Sequence, residues 1–220
     1  MIEFEHTEVV GWEAAIRGMR NSWNSHEKSD SGCIQYDPDT RCILGRCEIG
    51  PNDLTLMKQL AGAGSSHAKY RRYINVTVDI TAPLYWWKEF DTYKVGTVAN
   101  SESTMHTISK RDLTLDDFSH DHIYDDMTTE PSALKALTFV IDTINQYRQL
   151  YKVSGAKGDW WQIIQLLPSS FNQKRTVQLN YEVLSNIYHA RKNHKLTEWR
   201  EFCRWIESLP YSELITGGAE

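Results

Sequence analysis

An α+β fold is predicted by three features of the sequence. Apolar residues recur at helical spacing through about half of the chain. One segment, Tyr73–Thr81, alternates apolar and polar residues with a period of two. Strand patterns are otherwise few, and no repeat, low-complexity tract or linker divides the 220 residues, so a single domain over 1–220 is expected.

The first helix is expected over Glu8–Met19, where Val9, Trp12, Ala15, Ile16 and Met19 recur on one face. Asn21–Pro51 is polar and irregular, holds an Asp37-Pro38-Asp39 turn and Gly45, and reads as a long loop with room for a short hairpin. A second helix should start at an Asn52 or Asp53 cap, pass through Leu54, Met57 and Leu60, and end at Gly62 and Gly64. In the strand at Tyr73–Thr81, Ile74, Val76, Val78 and Ile80 face one way, as in an antiparallel sheet with one buried face. Pro83 opens a helix carrying Leu84, Tyr85, Trp86, Trp87 and Phe90. Lys110–Glu130 is highly charged and reads as a surface excursion. Ser132–Tyr151 is the longest helix, with a stripe of Leu134, Leu137, Val140, Ile141 and Ile144. A short helix at Trp160–Leu167, a strand at Thr176–Leu179, a helix capped by Asn180 and running to Arg191, and a last helix at Leu196–Leu209 complete the chain.

Composition excludes several classes. The charge is 24 − 29 = −5, which argues against DNA or RNA binding through a basic face. No run reaches the ~18 to 20 apolar residues of a membrane span. Met1–Val10 lacks the basic and apolar regions of a signal peptide, so a cytoplasmic protein is expected. Cys33, Cys42, Cys47 and Cys203 fit a reducing compartment, and the spacing of the first three matches no zinc pattern, so no metal site is expected. Phosphate-loop and nucleophile-elbow motifs do not occur. Eight Trp and eleven Tyr are more large rings than a core alone requires, and suggest lined pockets or interfaces.

Four constellations could carry chemistry. On the helix after Asn180, 100° per residue puts Asn180, Leu184, Ile187 and Arg191 on one stripe. A cation beside two buried aliphatics needs either an internal ion pair or an anionic ligand. Thr92–His106 gathers hydroxyls with Asn100 and Lys94, a composition that suits either phosphate or a polar surface loop. His67 precedes Lys69, Arg71 and Arg72, either an anion-steering cluster or a solvated basic turn. Arg17, Arg20 and Ser22 close the first helix, where the dipole favours cations in any case.

Together these segments resemble the flavin-dependent thymidylate synthases. That family's signature, Arg-His-Arg-x-x-Ser-x-Asn-Glu-x-Ser-x-Arg-Tyr, follows a strand and an Ala-Pro helix. Here Ala82-Pro83 leads to Thr92-Tyr93-Lys94, then Thr97, Asn100-Ser101, Ser103 and Met105-His106, with one residue inserted between Thr97 and Asn100. Ala15, Arg17, Arg20, Ser22 and Trp23 repeat the end of the family's first helix, and His67 stands sixteen residues before Pro83, as the family's flavin-side His does. Leu167-Pro168, Asn180, Leu184 and Arg191 repeat the family's C-terminal spacing. The departures are Thr92, Tyr93 and Lys94 in place of Arg-His-Arg, Glu89 for a Gln that helps hold nucleotide phosphate, Met105 for Arg, Ile164 for Arg and Glu182 for Arg. Lys69, Arg72, Lys94 or Arg175 are the cations available to compensate.

The resemblance implies a flavin-dependent thymidylate synthase-like α+β fold, an antiparallel sheet with long helices. It implies FAD-dependent methylation of dUMP to dTMP, with methylenetetrahydrofolate and NADPH as co-substrates, in a homotetramer. Arg191 would polarise the uracil, and Ser103 would stand near the nucleotide with Glu89 and Ser101. Ser22, His67, Tyr93, Lys94, Asn100, Asn180 and Asn186 would line the flavin. The alternatives are a relative acting on another pyrimidine nucleotide, and a non-catalytic binding protein of the same fold.

Overall fold

The computed structural model describes residues 2–33, 36–37, 41–42, 47–126 and 128–217, with the backbone alone at 33, 36–37, 41–42 and 47. In chain order the elements are β1 (Glu3–Val10), α1 (Trp12–Asn21), β2 (Gly32–Cys33), β3 (Tyr36–Asp37), β4 (Arg41–Cys42), β5 (Cys47–Glu48), α2 (Pro51–Gly62) and β6 (Asn75–Pro83). There follow α3 (Leu84–Phe90), β7 (Val98–Ser101), α4 (Thr104–Thr107), α5 (Ala133–Ser154), α6 (Lys157–Leu166), β8 (Asn172–Asn180), α7 (Tyr181–Arg191), α8 (Thr197–Glu207) and α9 (Glu213–Thr216). Short 3-10 turns lie at His26–Lys28, Ala68–Arg72 and Leu115–Asp117. The main sheet has the order β1-β6-β8-β7, while β2 pairs with β5 and β3 with β4, both antiparallel. Mixed helix and antiparallel sheet is the α+β class that the periodicity predicts.

Contacts divide the chain into two compact units. The first unit comprises residues 1–3, 80–92 and 100–175. Its core is Ile108, Leu113, Phe118, Leu137, Ile141, Ile144 and Ile163, with α5 packed on α6. Ser132 caps α5 through its hydroxyl, which accepts from Lys135 N, and Gly155 ends the helix in the left-handed conformation. The expected surface excursion at Lys110–Glu130 is corrected here: Leu113 and Phe118 are buried against α5, so the charged segment carries two core anchors. Arg148 follows Leu137, Ile141 and Ile144 on the buried stripe and is itself 0% exposed. Its Nε donates to Ile108 O at 2.8 Å, Nη2 to Ser109 O at 3.1 Å, and Nη1 to Asp112. Those bonds satisfy a buried guanidinium and tie the loop to the helix.

The second unit comprises residues 4–79, 93–99 and 176–220. The expected helix from Glu8 begins instead at Trp12, because Glu8, Val9 and Val10 belong to β1. Gly11 makes the turn between them at φ 101°, and a Cβ there would lie 1.9 Å from Tyr73 O. Val76 and Val78 of β6 are fully buried, as the alternation predicts, although the strand starts at Asn75 and not at Tyr73. Helix α2 starts at Pro51, with Gly50 as its cap, and not at Asn52 or Asp53. Asp53 points inward, fully buried, and takes Nε–H of Arg20 at 2.6 Å and the hydroxyls of Ser29 and Ser31 at 2.7 and 2.6 Å. Burial raises the Asp53 pKa, but the Ser31, Ser29 and Arg20 hydrogen bonds outweigh it and hold the carboxyl below its usual range. Arg20 is therefore a buried anchor for the 25–31 loop and not a solvated C-terminal cation.

Candidate functional site

Asn180 is the N-cap of α7, as its sequence position predicts: Oδ1 accepts from Val183 N at 3.1 Å. Leu184 and Ile187 are fully buried and Arg191, on the same stripe, is half-buried. Two aromatic rings meet the Arg191 guanidinium. Its Nε donates to the Tyr93 hydroxyl at 2.9 Å, and its Cζ lies 4.7 Å from the Trp199 ring centre of α8. Tyr93 and Trp199 touch edge to face at 5.9 Å. The cation is thus braced at the C-terminal end of α7.

At the other end of α7, Gly96, with φ 75°, comes close enough that a Cβ would sit 3.2 Å from Asn180 Nδ2 and 3.1 Å from Val183. The segment 93–99 therefore touches α7 at both ends, through Tyr93 and through Gly96. In it, Thr97 Oγ1 is buried with no partner. Glu182 Oε2, in the first turn of α7, is likewise buried with no partner, and Arg72 approaches its other oxygen to 4.0 Å. Lys94, His67, Lys69 and Asn186 are exposed. Ser22 is the exposed residue after α1, and its neighbours Arg20 and Trp23 line an open pocket of about 720 Å³ with Ser25, Glu27, Lys28 and Asn52.

The remaining expected residues lie in the first unit. Asn100 and Ser101 are exposed on β7, and Ser103 is the half-buried N-cap of α4, its carbonyl accepting from Thr107 N at 3.0 Å. Glu89 lies in the last turn of α3, its carbonyl taking the Thr92 hydroxyl at 2.7 Å. Arg175, one of the cations considered for phosphate, is engaged elsewhere: Nη1 pairs with Asp91 at 2.7 Å, and the guanidinium lies 4.2 Å from the Trp87 ring centre. The structure thus brings together Tyr93 with Arg191, and the segment carrying Lys94 with Asn180. Trp199 was missed in the sequence, although its spacing on α8 with Phe202, Cys203 and Ile206 marks it as facing inward.

The side chains of Cys33, Cys42 and Cys47 lie outside the described residues. Among the described residues, no group of three or more His, Cys, Asp or Glu could hold a metal ion, and no helix is long and apolar enough to cross a membrane.

No protein-family model matches the chain, and no curated protein matches it in sequence. Solved structures do match it. Thymidylate synthase X (ThyX) from Helicobacter pylori, with FAD and dUMP, is similar over 99% of this chain and 98% of its own, at 15% identity and a TM-score of 0.68. The UMP/dUMP methylase PolB from Streptomyces cacaoi, bound with 5-Br dUMP, is similar over 100% and 95%, at 13% identity and a TM-score of 0.63. The chain therefore has the flavin-dependent thymidylate synthase-like α+β fold, an antiparallel sheet with long helices, from end to end.

Proposed function

We propose that the protein is a flavin-dependent methylase of a pyrimidine nucleotide, converting dUMP to dTMP with methylenetetrahydrofolate as carbon donor and NADPH as reductant. The single observation that carries this reading is Arg191, a cation braced by Tyr93 and Trp199 on a fold shared with dUMP-bound enzymes. Fixed in this way, Arg191 would polarise a uracil carbonyl and stabilise negative charge as the ring reacts. Bound FAD would supply the hydride chemistry. The residues suit such a ring: Thr97 Oγ1 and Glu182 Oε2 are buried hydrogen-bonding atoms in want of partners, and Asn180 and Asn186 lie on the same helix. Lys94 and Lys69 are exposed cations for phosphate, and His67 would line the flavin. A homotetramer would complete the assembly.

A second reading has one specific observation in its favour. Glu182 and Glu89 replace neutral or basic residues of the resembled family, and PolB, described as acting on UMP as well as dUMP, has a similar fold. Another pyrimidine nucleotide would then be the substrate. Two measurements test both readings. Purified protein incubated with FAD should retain a band near ~450 nm after gel filtration. Thermal shifts with dUMP, UMP, dTMP and dCMP should then rank the nucleotides. Absence of a retained flavin together with no shift for any nucleotide would leave a non-catalytic protein of this fold.

A further inference from the structure

Arg71 is one of the three cations of the basic cluster after His67, and the nucleotide reading makes no use of it. It lies in the 3-10 turn at Ala68–Arg72, which packs against α1, α2 and α7 within the second unit, and it is only 5% exposed. Two side chains meet the guanidinium: Nη1 donates to Ser185 Oγ across a long 3.4 Å, and the Tyr70 hydroxyl lies beside it. The Ser185 hydroxyl is itself committed, donating to Ile215 O at 2.9 Å. Nε and Nη2 are buried without any partner, and Arg71 forms no ion pair among the described residues. Glu182, one helical turn before Ser185, faces Arg72 instead. Tyr70, the preceding residue, donates its hydroxyl to Met57 O at 2.9 Å; burial pushes its pKa up to about 12, against the lowering effect of Arg71 beside it, so it meets the guanidinium as a neutral phenol and offers no negative charge.

The two orphan donors are not independent. Nε–H and one N–H of Nη2 lie on the same edge of the guanidinium plane and point the same way. That edge is the fork that takes two oxygens of one carboxylate or phosphate. A buried guanidinium with its fork empty is strongly disfavoured, since arginine keeps its charge at any ordinary pH.

We propose that the open edge of Arg71 is a binding site for a small oxyanion, carboxylate or phosphate in kind, gripped side-on by Nε and Nη2. The site is independent of flavin and nucleotide, so its test is run on the apoprotein. Thermal unfolding is followed in chloride, acetate and inorganic phosphate at equal ionic strength and pH. Acetate or phosphate at concentrations well above its dissociation constant should raise Tm over chloride by several degrees, about 2 to 4 °C for each tenfold or so of saturation. Arg71→Met should abolish that difference and, in chloride, should unfold at the same Tm or higher, because an unpaired buried charge has been replaced by an apolar side chain. Arg71→Lys, which keeps the charge and loses the fork, should respond more weakly than wild type. Equal Tm for wild type in all three salts overturns the proposal. So does a response that persists in Arg71→Met, or an Arg71→Met protein that unfolds well below wild type in chloride, which would show that the guanidinium already has its partner in the folded chain.

Discussion

The phenol oxygen of Tyr93 takes a hydrogen bond from Nε of Arg191 at 2.9 Å, joining residues 98 positions apart. Tyr93 belongs to the segment that resembles the family signature, and Arg191 to the segment that resembles its C-terminal motif. The hydrogen bond joins these two segments within the second unit.

Arg191→Ala should therefore change nucleotide binding more than stability. Loss of the Tyr93 hydrogen bond and the two ring contacts should lower unfolding free energy by about 1 to 2 kcal/mol. Affinity for dUMP should fall by about tenfold or more, as for a lost charge-assisted hydrogen bond. Urea unfolding and a dUMP titration on the same protein check both halves. A loss of stability much above this range with unchanged dUMP binding would make Arg191 a structural residue.

Tyr93→Phe keeps the ring contact and removes the hydroxyl. Stability should change by about 0.5 to 1.5 kcal/mol. If the hydroxyl positions Arg191, turnover should drop with little change in KM, whereas a purely structural hydroxyl would leave both constants alone. Steady-state kinetics of the flavin-loaded protein separate the two.

Asp53→Asn should be among the most damaging changes in the second unit, since it leaves Arg20 buried without its counter-charge. The expected loss is about 3 to 5 kcal/mol, read by urea unfolding. The pH dependence has a definite sign. The folded pKa of Asp53 is lowered, so its stabilisation is fully present above the unfolded value of about 3.9 and is lost as pH falls through the folded value. Wild type should hold its Tm through neutral pH and lose it steeply below about pH 4, and Asp53→Asn should show a shallower fall there.

Arg148→Ala should destabilise the first unit by at least about 3 kcal/mol, through a cavity and through the stranded carbonyls of Ile108 and Ser109. Asp112→Asn should cost much less, because Asp112 is largely exposed and the two carbonyls remain bonded. Chemical denaturation of the pair reveals the ranking, and equal losses would refute it.

Cys203 should be unreactive in the folded protein. Burial, with Glu207 adding to it, pushes its thiol up to about 11, so at pH 8 roughly one molecule in a thousand is thiolate. Iodoacetamide labelling with peptide mapping should leave Cys203 unmodified in native buffer and modify it in urea.

What could be read from the sequence was what is local. The Asn180 cap, the stripe on α7, the alternation in β6 and the Ser132 start of α5 each depend on neighbours within a few residues, and each stands in the structure. Strand β1 was missed because most of its residues are exposed on both faces, so no apolar period marks it. The Arg20–Asp53 pair spans 33 residues and was invisible to any local rule. Arg148 was legible in principle, since it extends the Leu137, Ile141, Ile144 spacing by one more turn. Within the candidate site, Arg191 was marked by its apolar companions, whereas its aromatic bracing depends on Tyr93 and Trp199 arriving from distant parts of the chain. No spacing rule reaches that far.

The close approach at Gly11 bears on how relatives of this chain should be compared. The carbonyl of Tyr73 fills the space a side chain would need, so every substitution at position 11 must push the turn that precedes β6 away from the start of α1. In a deep mutational scan, that position should tolerate nothing, whatever assay is used for selection. A glycine that stays invariant there among distant homologues would report a steric constraint of the scaffold, and it carries no weight as a marker of shared chemistry.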